Sequence, residues 1–403
     1  MNSLIPATDF ATLWALIAAG TALAIWLEQK YRWAQRLSGP VIALIVAMVL
    51  SNTRVMPSES PAYDFVGDWL VPLAIPLLLI RANLREIIRI AGRLFLVFHI
   101  SSIGTLIGTF TAAHLLKNVI AIPDLAYASG MMAASYIGGG VNFMAVKASY
   151  SVSESVSNPL IVADNFVMAF FFVILLAAAN NRWFLSNFHH PHSKETDKDK
   201  AQNLAATHWI RKGVGLMDIS FAFAFAFAIL ALASLLGQFS KGVFKAIPEG
   251  NMLLQMLQVL CTNRYVLITG VTLVFATVGG RFLEKVNGSD ELGMYMLMIF
   301  LFTLGLPADL FSVITKAPLF FVFCSIIAII NLLFTLSVGW MMRLNLEELL
   351  LVVNANLGGA PSAAAMAIST GWNRLVLPGI LVGIWGYVIG TPVGIVVVEL
   401  LKR

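Results

Sequence analysis

Apolar runs of membrane-crossing length recur along almost the whole of this 403-residue chain, and no other feature constrains its folding as strongly. A helix needs about 20 mostly apolar residues to cross roughly 30 Å of hydrocarbon. Runs of that order lie near 11–27, 39–52, 62–80, 93–115, 124–148, 158–179, 217–238, 264–281, 289–306, 316–341, 348–370 and 377–400. With 59% hydrophobic and 12% charged residues, little polar sequence remains for a soluble domain. The expected fold is an all-α polytopic membrane protein with about 12–13 transmembrane helices. The stretch FAFAFAFAIL from Phe221 alternates as a strand would, but it sits in a run of helix length and reads as helix.

The polar interval around HHPHSKETDKDK divides the chain into a first transmembrane repeat (1–179), a flexible linker (180–215) and a second transmembrane repeat (216–403). No basic residue precedes the first apolar run, so a cleavable leader is not expected. Lys30, Arg32 and Arg36 follow that run and belong on the cytoplasmic side, which puts the N-terminus outside, in a bacterial inner membrane. Cys261 and Cys324 lie in or beside apolar runs and read as packing residues. The formal charge of +5 fits basic inner loops, and no basic stripe with interleaved aromatics suggests nucleic acid.

The halves resemble each other. RLFLVFH (Arg93–His99) matches PLFFVFC (Pro318–Cys324), RANL (Arg81–Leu84) matches PADL (Pro307–Leu310), and YIGGGVNFMAV (Tyr136–Val146) matches NLGGAPSAAAM (Asn356–Met366), in one order and at similar spacing. The basic residues Arg281, Lys285, Arg343, Lys402 and Arg403 lie inside only if the second half is inverted. Inversion requires an odd number of crossings between equivalent helices, whereas the apolar runs give an even one. The short run at 251–262, NMLLQMLQVLCT, is the candidate for the missing span.

Both matched segments interrupt a helix at membrane depth. Gly138, Gly139 and Gly140 break the first; Gly358, Gly359 and Pro361 break the second, with Pro361 suited to the first turn of a new half-helix. Irregular backbone survives at that depth only where it is buried in protein or lines a wet cavity. Each break sets a half-helix N-terminus, favourable to anions, beside a C-terminal end favourable to cations. Close packing through small residues is the plain alternative. Recurrence in both halves, with Ser135, Asn142, Asn354, Asn356 and Ser362 alongside, favours function. Asp164 and Asn165 lie deep in the sixth run, where a carboxylate is costly and normally faces a cavity or partner. They read as a cation or proton site completed by Ser135 and by the carbonyls of Tyr136 and Ile137, with Asn354 and Asn356 contributing. Gly138 to Gly140, Asn142, Gly358, Gly359, Pro361 and Ser362 read as the substrate side. His99 reads as a hydrogen-bonded core residue, His189, His190 and His192 as solvated, and Lys147 as snorkelling or pairing with a carboxylate. Asp68 and Asp309 lie near helix ends, and Thr391 with Pro392 marks either a kink or a second cation site.

The paired broken helices YIGGGVN and NLGGAPS, the Asp-Asn pair after the first, and the six-plus-six layout resemble the superfamily of cation:proton antiporters and anion transporters. Within it the chain most resembles the membrane family numbered 819 among domains of unknown function. That resemblance implies inverted repeats, a scaffold, a core with two crossing discontinuous helices, a homodimer as the common assembly, and elevator motion. Asp164 and Asn165 take the place of the antiporters' acidic pair, but as Asp-Asn, and the final span lacks the lysine some antiporters use. The expected function is secondary transport coupling Na⁺ or H⁺ to a small anionic or zwitterionic solute, with no cofactor beyond a coupling Na⁺. The alternatives are a cation/proton antiporter and a membrane sensory protein. Enzymatic activity is not expected, since no nucleophile–base pair, HExxH or nucleotide loop stands out.

Overall fold

The computed structural model describes residues 3–31, 34, 39–120, 124–194, 213–244, 252–283, 285–307 and 310–402. Asp309, Arg403 and most of the HHPHSKETDKDK tract's charged residues, from 195 on, lie outside them. The described chain is helical throughout, with a single isolated bridge between His189 and Asn345. The main helices are α1 (Phe10–Lys30), α2 (Gly39–Asn52), α3 (Pro61–Leu79), α4 (Leu84–Ala91), α5 (Arg93–Leu116), α6 (Asp124–Tyr150), α7 (Glu154–Ala179), α8 (Arg182–Asn187), α9 (Leu216–Val243), α10 (Met252–Thr262), α11 (Arg264–Val278), α12 (Ser289–Gly305), α13 (Leu310–Met341), α14 (Leu346–Thr370) and α15 (Val376–Leu401). The FAFAFAFAIL stretch is helical, within α9. Among the described residues seven helices are long and apolar enough to cross a bilayer: α1, α3, α5, α7, α9, α15 and, from Thr315, α13. Although α6 and α14 have 27 and 25 residues, they fall outside that set.

Both are interrupted at their glycines. In α6, Gly138 (φ −135°, ψ 16°) and Gly139 (φ 71°, ψ −178°) leave the helical region, and in α14 Gly359 does so (φ 72°, ψ −169°). Positive φ with ψ near 180° is a conformation essentially restricted to glycine. The chain does not continue across the membrane after these breaks; it turns back. A methyl group added at Gly394 of α15 would stand 2.6 Å from the Gly130 carbonyl oxygen and 2.9 Å from a Val146 methyl. On one straight helix residues 130 and 146 would be about 24 Å apart. Along α15, Gly386, Gly390 and Gly394 meet Gly138, Ala134 and Gly130 of the first arm, while Gly390 and Gly394 also meet Asn142 and Val146 of the second. The first arm is therefore antiparallel to α15 and the second parallel to it.

α14 reverses in the same way. Leu351 and Ala363 both pack on Gly379, and Asn354 and Ser362 exchange hydrogen bonds: Asn354 Nδ2 donates to the Ser362 carbonyl at 2.7 Å and Ser362 Oγ to the Asn354 carbonyl at 3.2 Å. Both interrupted helices are thus re-entrant hairpins, each leaving by the face at which it came in. The helices are discontinuous where the glycines predict it, but the reading of 124–148 and 348–370 as full spans is corrected.

Contacts fix the direction of the remaining helices. One face gathers the start of α1 and the ends around α2 and α3 (Leu4 N–H to Arg54 carbonyl, 2.7 Å; Ser60 Oγ to Ala7 carbonyl, 2.7 Å). The opposite face gathers the end of α3, the end of α11 and the starts of α9 and α12, through Arg81 to Asp290 (3.2 Å), the Leu84 amide to Thr277 Oγ1 (3.1 Å) and the Asn287 amide to Asp218 (3.0 Å). α5 starts at that second face beside α14, where Arg93 holds Glu348 by two bonds of 2.9 and 2.7 Å. α7, α13 and the far end of α15 meet the first face with both ends of α6: Lys147 pairs with Glu154 (3.1 Å), Lys316 reaches the Ser155 carbonyl (3.4 Å) and Tyr150 donates to Glu399 (2.8 Å). Hence α1, α2, α3 and α5, hairpin α6 and α7 are repeated, upside down, by α9, α11, α12 and α13, hairpin α14 and α15. Five crossings now separate the hairpins, an odd number, so inversion needs no thirteenth span. α10, which covers the proposed extra crossing, is an 11-residue helix separated from α11 by Asn263 alone, whose side chain caps α11. Lys402 lies at the opposite face from Arg93 and Arg343, so it does not join the basic residues with which the sequence pattern groups it.

Packing divides the helices into two bodies: α1, α2, α3, α9, α11 and α12 form one, and α5, α6, α7, α13, α14 and α15 the other. Each draws on both halves of the sequence. Small residues make the second body dense, since glycines at 383, 386, 390 and 394 let α15 run against the hairpin backbones. Across the polar interval, the stretch after α8 is tied to the base of α14: the Leu346 amide donates to the His189 carbonyl (2.8 Å), His189 bonds Asn345 (3.0 Å) and the His192 amide donates to Glu347 (3.0 Å).

Candidate functional site

The two hairpin tips come together on α15. A methyl group at Gly139 would stand 3.4 Å from the Tyr387 ring and one at Gly359 3.1 Å from its hydroxyl, so a single tyrosine backs both tips. Gly140, the first residue past the turn of α6, and Pro361, the second past the turn of α14, are exposed, with nothing within 4 Å of a methyl group at Gly140. The second arms begin there, so each tip places a helix N-terminus beside the C-terminal end of its first arm.

Four of the sequence candidates meet on α6 and α7. Ser135 Oγ donates to Asp164 Oδ2 at 2.8 Å, and the Tyr136 hydroxyl lies beside the same carboxylate without closing a hydrogen bond. Asn165, next in α7, turns its amide back to the Ile161 carbonyl (2.9 Å). One turn past Asp164, Met168 touches Gly358 of the other tip. Asp164 is therefore within about a helical turn of both hairpins.

The remaining candidates hold the hairpins in shape. Asn142 Nδ2 donates to the Gly138 carbonyl at 2.6 Å, bridging the first turn, while its Oδ1 accepts from the amide of Thr391 (3.0 Å) and from its hydroxyl (2.5 Å). Asn354 and Ser362 tie the two arms of α14, and the Ser362 hydroxyl shares its one proton between the Asn354 and Gly359 carbonyls, at 3.2 and 3.0 Å. Asn356 Oδ1 accepts from Ser102 at 3.3 Å. Lys147 is taken up by Glu154. His99 is a closed core residue: Trp385 Nε1 donates to its Nε2 (3.0 Å), so its Nδ1 carries the proton given to the Phe95 carbonyl (2.7 Å).

Three buried polar atoms at this meeting point have no partner: Asp164 Oδ1, the Tyr136 hydroxyl and Asn356 Nδ2. Tyr136 and Asn356 are both fully buried, and they occupy equivalent positions in the two repeats. Leaving such a group unsatisfied costs about 1–3 kcal/mol each. Among the described residues no group of three His, Cys, Asp or Glu side chains is placed to hold a metal.

Sequence reasoning missed Tyr387, Cys324 and the polar seam between α5 and α13. There Asn331 Nδ2 donates to the Ser101 carbonyl (3.0 Å) and Thr105 Oγ1 (2.5 Å), and Thr105 donates to the Tyr136 carbonyl (3.1 Å), carrying contact from α13 to the first tip. Cys324, fully buried on α13, lies beside Tyr136 and Asp164. A signal existed for the seam, since Ser101, Ser102, Thr105 and Thr109 share one face of α5. None existed for Tyr387, which reads as an aromatic within an apolar run.

Apolar helices on this scale define an all-α polytopic membrane protein. The chain belongs to the family described as "Protein of unknown function (DUF819)", whose model matches residues 15–403. It is similar to "Uncharacterized membrane protein YjcL" of Bacillus subtilis (strain 168), 42% identical over 395 residues that cover 98% of this chain and 97% of that protein.

Proposed function

We propose that this protein is a secondary active transporter that couples Na⁺ or H⁺ to movement of a small anionic or zwitterionic organic solute. The observation that carries the reading is the pair of oppositely inserted hairpins whose tips share Tyr387, with Asp164 about one turn from each. The exposed start of the second arm of α6 at Gly140 offers main-chain N–H groups to a carboxylate, as half-helix ends do in transporter sites, whereas at the start of the second arm of α14 the Ala360 N–H faces Tyr387 and Pro361 has none. Asp164, aided by Ser135 and the Tyr136 hydroxyl, takes the coupling cation. Asn142, Asn354 and Ser362 act as positioning residues, because their polar atoms are already engaged in holding the turns. The body containing the hairpins slides as an elevator against the other, with left-handed Gly92 (φ 51°) at the joint between α4 and α5. Arg81, Arg85, Arg89, Arg93 and Arg343 share the face from which α14 inserts, so that face is cytoplasmic and the N-terminus is outside, in a bacterial inner membrane.

Reconstitution in proteoliposomes tests this. Solute uptake driven by an imposed Na⁺ or H⁺ gradient is expected. A pH change driven by Na⁺ with no solute would make the protein an antiporter, and neither response would leave the sensory reading.

A further inference from the structure

We propose that Asn158 is the positioning residue that sets where the hairpin-bearing body rests against the other one. This rests on the sliding motion of the transporter reading and adds the part that holds the slide in place. Asn158 lies in the second turn of α7 and is fully buried. Its Nδ2 donates to the carbonyl of Leu304 at 2.9 Å, and Leu304, also buried, stands in the last turn of α12. α7 belongs to the sliding body and α12 to its counterpart, so this bond crosses the boundary between them within the apolar runs. Beside it, Lys147 of α6 stands over the ring of Phe300, one turn before Leu304 in α12, at 5.7 Å.

Two features suit a catch that releases rather than a permanent joint. The first is the acceptor. Inside a helix each carbonyl is taken by the amide four residues on, and only the last turn has carbonyls to spare. If α7 moves inward along α12 by a turn or more, Asn158 meets carbonyls already in use; if it moves outward, it passes the end of the helix at Gly305. The bond is therefore made at one setting of the two bodies. The second feature is how little of the amide is used. Asn158 Oδ1 is buried and has no partner. The amides that hold the sliding body together are engaged at both ends: Asn142 bonds Gly138 and Thr391, and Asn331 bonds Ser101 and Thr105 through Nδ2 while its Oδ1 accepts from Ser101 and Thr335. Asn158 has a single bond to break. Hydrogen bonds between membrane helices are individually modest, because a displaced group finds other partners. A single one favours the position in which it is made without locking it there.

The test uses the full-length protein in the Cys261→Ser, Cys324→Ser background, with Gly140→Cys as reporter. That position is exposed at the first tip, and a methyl group there meets nothing within 4 Å. An impermeant maleimide is applied to right-side-out and to inside-out vesicles, and the two labelling rates are compared. With Asn158 present, one side should label faster. Asn158→Leu should raise the slower side relative to the faster by at least about threefold. Asn158→Gln, which keeps an amide donor, should restore most of the original ratio. A role confined to stability would lower the unfolding temperature and leave the ratio where it was; that result overturns the inference, as does equal labelling from both sides with Asn158 present. If Asn158→Leu fails to fold, Asn158→Ser, which withdraws the donor from the carbonyl, decides by the same ratio. The transporter reading fails separately. Labelling from one side alone, or from neither, in every variant removes the sliding motion and Asn158's role with it, whereas labelling from both sides at a ratio that Asn158 does not move keeps the motion and removes only Asn158.

Discussion

Asn142 receives both hydrogens that Thr391 can give, from its amide at 3.0 Å and from its hydroxyl at 2.5 Å, and so fastens the turn of one hairpin to the middle of the last helix. The same side chain spans its own turn through the Gly138 carbonyl. Thr391→Val keeps the shape and the amide bond and should cost about 1 kcal/mol of stability. Asn142→Ala removes every bond at once and should cost about 2–3 kcal/mol. Thermal or denaturant unfolding in detergent measures both, and a double-mutant cycle should show the pair to be strongly non-additive.

The turns themselves should tolerate methyl groups very unevenly. Gly139→Ala and Gly359→Ala each force a side chain into a glycine-only conformation, at about 1–3 kcal/mol. Gly359→Ala should be worse, because Tyr387 stands 3.1 Å from the added methyl group against 3.4 Å at Gly139. Gly140→Ala, one residue along and open to space, should unfold like the parent. Comparable losses at 139 and 140 would be incompatible with a positive φ at the first position and an open helix start at the second.

The hairpins can be checked without any substrate. In a protein carrying Cys261→Ser and Cys324→Ser, single cysteines at Asp124 and Ser151 should react with an impermeant thiol reagent from the same side of the membrane. Cysteines at Met342, which is exposed just before α14, and Thr370 should react together from the other side. Labelling of Asp124 and Ser151 from opposite sides would show that α6 crosses after all.

Asp164→Asn should leave a folded protein in which solute uptake no longer follows the cation gradient, with at least a tenfold fall in driven accumulation. Cys324→Ser, a change of similar size beside the same carboxylate, should alter the rate by no more than a few fold. Driven accumulation at the parent level in Asp164→Asn would take that residue out of the coupling step.

The places where the chain breaks were legible in the sequence, because a glycine triplet and a Gly-Gly-Ala-Pro run fall at matching positions of two apolar halves. What happens after the break was not. A few residues of non-helical backbone serve equally for a kink and for a reversal, and hydrophobic periodicity is the same for an arm that returns as for one that continues. The decisive clue was arithmetic: an even number of crossings between equivalent helices is incompatible with inversion, and turning the first interrupted run from a crossing into a hairpin leaves five, an odd number, just as adding a span at 251–262 would have done. Asp164 was visible because a carboxylate at depth is costly. Tyr387 was invisible because its role depends on which backbone it leans against, and aromatic residues at helical spacing are ordinary in lipid-facing and core positions alike. The hydroxyls of α5 carried a usable signal, four small polar residues on one face, that gains meaning only once Asn331 is seen opposite them.

Each face of this protein sends its own loop of chain to the centre, and neither loop passes beyond Tyr387. Because the two turns lean on the same ring, a change at Tyr387 reaches both loops at once, and the halves of the protein that entered from opposite sides answer to a single side chain.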